Sequence, residues 1–134
     1  MIMPEKTRLL LIEDSPTQAD KIASQLESEG IEVLVAGDGP AGLRAVDEHQ
    51  LGVVLLDINF PSMSGYQVCS RLKRDDKTRH IPIIMLTALD SSDDILHGLN
   101  VGATDYIAKD AFAVENLMTT LRTIGLLGSD AEDG

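Results

Sequence analysis

Four short apolar runs, each closed by a polar residue, constrain this chain more than any other feature. They are Leu9-Leu10-Leu11-Ile12 before Glu13-Asp14, Val53-Val54-Leu55-Leu56 before Asp57, Ile83-Ile84-Met85-Leu86 before Thr87, and Tyr106-Ile107-Ala108 before Lys109. Runs of this length with no polar alternation read as strands buried on both faces, the pattern of parallel strands covered by helices. Helix signals stand between them. Ser15-Pro16-Thr17-Gln18 has the form of a capping box with Pro at the first helical position, and Ala19, Ile22, Ala23 and Leu26 follow at helical spacing. Gly30 stands where that helix would end in a left-handed residue. A second strand, Ile31 to Ala36, turns through Asp38-Gly39-Pro40 into a helix with Leu43 and Val46. Pro61 and Gly65 precede a helix with Val68 and Leu72, and the charged run Lys73 to Lys77 reads as its solvated end. Ser91-Ser92-Asp93-Asp94 open a helix ending near Gly102, and the last spans about Val114 to Leu126. Strands alternating with helices in this way predict a doubly wound five-stranded parallel α/β sheet with right-handed crossovers.

A chain of 134 residues is one domain. Residues 1–7 read as a lead-in, 8–126 as the folded domain and 127–134 as an acidic, flexible tail. With 22 Asp and Glu against 11 Lys and Arg, the net charge of −11 argues against direct binding of nucleic acid, which needs clustered cations. A single cysteine, Cys69, precludes an internal disulfide and fits a reducing cytoplasm, where it reads as a small apolar side chain. No apolar stretch approaches the ~20 residues of a membrane span. The expectation is a cytoplasmic protein with no membrane partner.

The chemistry lies at the strand ends. Ligands of open parallel sheets bind at the carboxyl edge, where Glu13, Asp14, Asp57, Thr87 and Lys109 would converge. If the strands that end on Glu13-Asp14 and on Asp57 are neighbours, three carboxylates share one cleft. Two carboxylates ~4 Å apart repel by roughly 4 kcal/mol at an effective dielectric of 20, so a proton or a cation must relieve them. A hard divalent ion with oxygen ligands is the natural partner, and Mg²⁺ suits one or two carboxylates together with waters and phosphate oxygens. Asp57 is the candidate nucleophile, ionised at neutral pH and able to form an acyl phosphate. Such a transfer depends on positioning and charge neutralisation, with Mg²⁺ on one face of the phosphoryl group, the Lys109 ammonium on another and the Thr87 hydroxyl on a third. The backbone carbonyl of Asn59 is placed to ligate the metal.

These residues, taken in order, give the chain a resemblance to the receiver domain of two-component response regulators, and within it to the single-domain chemotaxis type. The matching segments are Glu13-Asp14, the stretch from Asp57 to Gly65, Thr87-Ala88, Gly102-Ala103-Thr104-Asp105-Tyr106, and Lys109. They span about residues 7 to 126. The resemblance implies a flavodoxin-like (βα)5 fold with strand order 2-1-3-4-5, and Asp57 as acceptor of a phosphoryl group from a phosphohistidine. The donor would be a sensor histidine kinase or a histidine phosphotransfer protein, docking along the first helix near Pro16 and Ala19. It implies Mg²⁺ bound through Asp14, Asp57 and the Asn59 carbonyl, with Glu13 reaching it through water. Thr87 and Tyr106 would be the switch pair, the small Ala88 leaving room for the ring. The readout surface would comprise the fourth helix, fifth strand and fifth helix around Asp93, His97, Asn100, Ala103 and Tyr106. That surface would control a downstream protein target, and two copies can pair through it as a homodimer. The chain is thus expected to be a self-phosphorylating switch, not an enzyme with turnover, and an apolar Leu89 that cannot orient water predicts slow self-dephosphorylation.

Two residues depart from the family pattern. Phe60 replaces the usual Met before Pro61, and Asp110 replaces the usual Pro that follows the lysine through a cis bond. A cis bond before a non-proline residue costs roughly 3–4 kcal/mol, which predicts a trans Lys109-Asp110 bond. Three rivals are weaker. A phosphatase of the Asp-nucleophile kind wants an acid where Asn59 stands, and a flavin-binding flavodoxin relative wants a Ser/Thr-rich phosphate cradle where Glu13 and Asp14 stand. A phosphorylation-independent interaction domain would have little use for Asp14, Asp57, Thr87 and Lys109 together.

Overall fold

The apolar runs become strands because their side chains leave water on both sides. A computed structural model of the protein describes residues 8–57, 64–87 and 102–125. Its strands are β1 (Arg8–Ile12), β2 (Glu32–Ala36), β3 (Val53–Asp57), β4 (Ile83–Thr87) and β5 (Asp105–Ala108). All pair in parallel, in the order β2-β1-β3-β4-β5. Helices α1 (Pro16–Ser28), α2 (Gly39–Glu48) and α3 (Gly65–Arg74), and a last described helix (Ala113–Thr123), cover the two faces. This is the five-stranded, doubly wound, flavodoxin-like arrangement expected. The helix expected from Ser91 to Gly102 lies outside the described residues.

Successive residues of a strand point to opposite faces, so β1 serves two cores. Leu9 and Leu11 pack with Ala19 and Leu26 of α1 and with Leu117, Met118 and Leu121 of the last helix. Leu10 and Ile12 pack with Val46 of α2 and with Val68, Cys69 and Leu72 of α3. Cys69 is fully buried, and burial pushes its thiol up to about 11, so it behaves as an apolar side chain.

The helix starts follow side-chain chemistry. Ser15 caps α1, its Oγ accepting from Gln18 N, with Pro16 next in the chain. Asp38 caps α2, its carboxylate accepting from Ala41 N at 2.8 Å. At α3, Ser64 and Gln67 form a reciprocal capping box that the Pro61-Gly65 signal did not reveal. Gly30 follows α1 with φ of 87°, the left-handed conformation predicted for it. A second glycine has a packing reason. A Cβ at Gly42 would fall 2.9 Å from Ile12 Cγ1 and closer still to Cδ1, so only glycine lets α2 sit this near β1.

Arg74 to Lys77 are exposed, the solvated end expected, but Lys73 at its start is half-buried and tied down. The Lys73 ammonium donates to the carbonyls of Arg79 at 3.0 Å and Ile81 at 2.8 Å, and the buried Thr78 hydroxyl donates to Leu72 O at 2.6 Å. Together they fold the α3–β4 connection back onto its helix.

Candidate functional site

Register brings the run ends to one edge. Ile12 is level with Leu56, Asp57 with Leu86, and Thr87 with Ala108, so the residues that follow or close these strands meet at the carboxyl edge. β3 and β4 each run one residue further than expected, taking Asp57 and Thr87 into the sheet itself.

Glu13 and Asp14 leave β1 in opposite directions. Glu13 turns in and is 2% exposed, while Asp14 stays exposed. Carboxylate oxygens of Glu13, Asp14 and Asp57 nevertheless lie within 4.8 Å of one another. The Lys109 ammonium enters from the end of β5, 2.9 Å from Asp57 Oδ2 and 3.3 Å from Glu13 Oε1. Its backbone N–H donates to Thr87 O at 2.8 Å, which ties it to the end of β4.

One cation is thus shared between two buried acids. Burial, then the hydrogen bond and charge of Asp57, push the Glu13 carboxyl up to about 7, against the opposing pull of Lys109. Burial alone would lower the Lys109 ammonium, but its hydrogen bonds and charge pairing with Asp57 and Glu13 raise it overall. The three acids carry more negative charge than Lys109 offsets. Glu13 Oε2 is buried without a hydrogen-bond partner among the described residues, leaving a hard oxygen free to accept. A cluster of oxygen donors with an unsatisfied buried lone pair fits a hard divalent cation.

Of the expected site residues, Glu13, Asp14, Asp57 and Lys109 are brought together. Thr87, 6% exposed, stands beside them at the end of β4. Tyr106 is half-buried and packs on the α2–α3 face. Asn59, Phe60, Ala88, Leu89, Asp93, His97 and Asn100 lie outside the described residues. The Lys109-Asp110 bond is trans, as expected. Ala19 is buried under α1, so it offers nothing to a docking partner; the exposed side of that helix carries Gln18, Lys21 and Gln25. Those residues border a groove of about 480 Å³ whose other wall is Lys109, Asp110, Ala111, Ala113 and Val114. The sequence did not disclose the Lys109–Glu13 pair, since of two adjacent acids it does not say which one turns inward.

The chain matches the response regulator receiver domain family over residues 9–122. It belongs to that family. This receiver domain is 38% identical over 127 residues to the sensory transduction protein RegX3 of Mycolicibacterium smegmatis, covering 95% of this chain and 54% of RegX3. It is also 38% identical over 117 residues to the DNA-binding dual master transcriptional regulator RpaA of Synechocystis, covering 87% of this chain and 48% of RpaA. The receiver domain therefore spans about half the length of these curated relatives. Among solved structures, the chemotaxis protein CheY4 of Vibrio cholerae superposes with a TM-score of 0.83 at 28% identity, over 90% of this chain and 99% of CheY4. The receiver domain of the Pseudomonas aeruginosa sensor histidine kinase PA1611, solved with magnesium coordinated in its active-site cleft, gives 0.80 at 29% identity, over 89% of this chain and 97% of that one. Receiver domains are the phosphoacceptor switches of two-component signalling, and this chain is one of them.

Proposed function

We propose that Asp57 is the phosphoacceptor. Its carboxylate oxygen attacks the phosphorus of a phosphohistidine, an O–P bond forms as the N–P bond breaks, and the departing imidazole takes a proton from water. Lys109 supplies positive charge beside the nucleophile, and on transfer its ammonium is placed to follow the negative charge onto the phosphoryl oxygens. Thr87, at the neighbouring strand end, donates its hydroxyl to another of those oxygens. Asp14, Asp57 and the Asn59 carbonyl would hold a magnesium ion, with Glu13 reaching it through water, and that ion would neutralise charge on the transferring group. The observation that carries this reading is the Lys109 ammonium 2.9 Å from Asp57 inside a cluster of acids drawn from two strands.

The donor is a sensor histidine kinase or a histidine phosphotransfer protein, and the groove beside α1 next to Lys109 supports docking there. The new charge, roughly −1.5 to −2, draws Thr87 inward and lets Tyr106 follow, altering the surface that includes β5 and the last described helix. That surface then controls a protein target, or pairs with a second copy. The net charge of −11 supports keeping DNA contact out of this domain, although RpaA carries a DNA-binding name. The reading is of a switch with slow self-dephosphorylation, working in the cytoplasm.

The test is labelling with radioactive acetyl phosphate. Mg²⁺-dependent incorporation by the unaltered chain, abolished in Asp57→Asn and by EDTA, is the expected result. Equal labelling of Asp57→Asn would refute the assignment.

A further inference from the structure

We infer that Asp110 is a positioning residue for the Lys109 ammonium. The inference rests on the role proposed for Lys109 above and concerns what holds that side chain in place. Lys109 is the first residue beyond β5, where a chain end is free to swing unless it is tied. Its own N–H donates to Thr87 O at 2.8 Å. The N–H of Asp110 donates to Ala108 O at 2.9 Å, a bond between residues two apart that makes Lys109 the centre of a three-residue turn. No non-glycine residue among those described has a positive φ, so this is the inverse γ-turn, the low-energy form found at strand ends. The peptide units on both sides of the Lys109 Cα are thereby pinned, which sets the direction in which its side chain departs.

Asp110 then anchors that turn to the helix behind it. Its Oδ1 accepts from Phe112 N at 2.8 Å, and its carbonyl accepts from Ala113 N, the first residue of the last helix, at 3.2 Å. Phe112, which occupies the capping position, makes no side-chain cap bond, so these two bonds from Asp110 are what tie the turn to the helix start. A proline at position 110 would have no N–H for Ala108 O and no side-chain oxygen for Phe112 N. This chain therefore aims its lysine by a different device, two hydrogen bonds made by one aspartate across a trans bond. The outcome is the Nζ–Asp57 Oδ2 contact of 2.9 Å.

The experiment compares Asp110→Ala, which removes the Oδ1 acceptor, with Asp110→Asn, which keeps it and removes the charge. In Asp110→Ala, the acetyl phosphate labelling rate at saturating donor and Mg²⁺ should fall roughly tenfold, as small misplacements of a catalytic group do. Mg²⁺ affinity by calorimetry should stay unchanged, and Asp110→Asn should recover the rate. In a Lys109→Ala background, Asp110→Ala should add no further loss, because there is no ammonium left to aim. A metal-free readout is the Lys109 ε-CH₂ signal in a ¹H–¹³C spectrum, assigned by its disappearance in Lys109→Ala. It should move toward the exposed-lysine position in Asp110→Ala and stay in place in Asp110→Asn. An unchanged rate and spectrum in Asp110→Ala, an Asp110→Asn as slow as Asp110→Ala, or an undiminished effect without Lys109 would each overturn the positioning role while leaving Asp57 as acceptor. No Asp57-dependent labelling of the unaltered chain would overturn both.

Discussion

Lys109, Glu13 and Asp57 form a triad in which one ammonium serves two buried carboxylates, and its charge state governs how the metal-free chain responds to pH. The Glu13 carboxyl lies near 7 in the folded chain, above its unfolded value, so folding takes up a proton between about pH 4.5 and pH 7. The stability this contributes is complete below the unfolded value and is lost as pH rises through about 7. Urea midpoints in EDTA should therefore decline from about pH 5 to about pH 8, relative to Glu13→Gln, which lacks the titration. Saturating Mg²⁺ should flatten that decline, because the cation takes the place of the proton. Lys109→Met leaves two inward-facing acids without their cation. It should lower stability in EDTA at neutral pH by about 2–3 kcal/mol by urea titration, with part of the loss recovered on adding Mg²⁺. At this scale the sequence disclosed which residue types crowd the carboxyl edge, because each apolar run ends on one. It did not disclose that Glu13 is the buried partner and Asp14 the exposed one, since strand alternation says only that they differ. Nor did it show the bonds of Asp110 or Lys73, which depend on loop paths that have no period.

The elements were more legible. Continuous apolar runs specify strands with two covered faces, and the Ser15 and Asp38 signals stand at the observed helix starts. Ends drifted by a residue where an acid or a hydroxyl continues the ladder, as Asp57 and Thr87 do. The Ser64–Gln67 box is hard to read from the sequence because Pro61 and Gly65 are stronger turn signals on either side of Ser64. Ser64→Ala removes one half of that box and should cost about 1 kcal/mol in chemical denaturation. Gly42→Ala tests the approach of α2 to β1. Helix propensity alone would favour alanine by about 1 kcal/mol. The added methyl meets Ile12, which is fully buried, so overpacking should win and leave a net loss of about 1 kcal/mol by the same measurement. A gain in stability would mean that α2 lifts away without cost.

For the whole molecule, the two-sided sheet divides the apolar residues into two separate cores. Leu26 of α1 and Leu72 of α3 are nearly fully buried on opposite faces. Each truncated to Ala should cost about 2–5 kcal/mol, and the double variant should show the sum to within about 0.5 kcal/mol by denaturant titration. Doubly wound topology was readable from the alternation of strands and helices, and the strand order followed from the family resemblance that those strand-end residues carry. The last two residues of β1, Leu11 and Ile12, belong one to each core and immediately precede Glu13. That carboxyl is itself buried, and burial is the largest cause of its raised affinity for a proton, with the hydrogen bond and charge of Asp57 adding to it. Water admitted around it would lower the Glu13 midpoint, which makes a single acid an internal gauge of how tightly the carboxyl edge is closed.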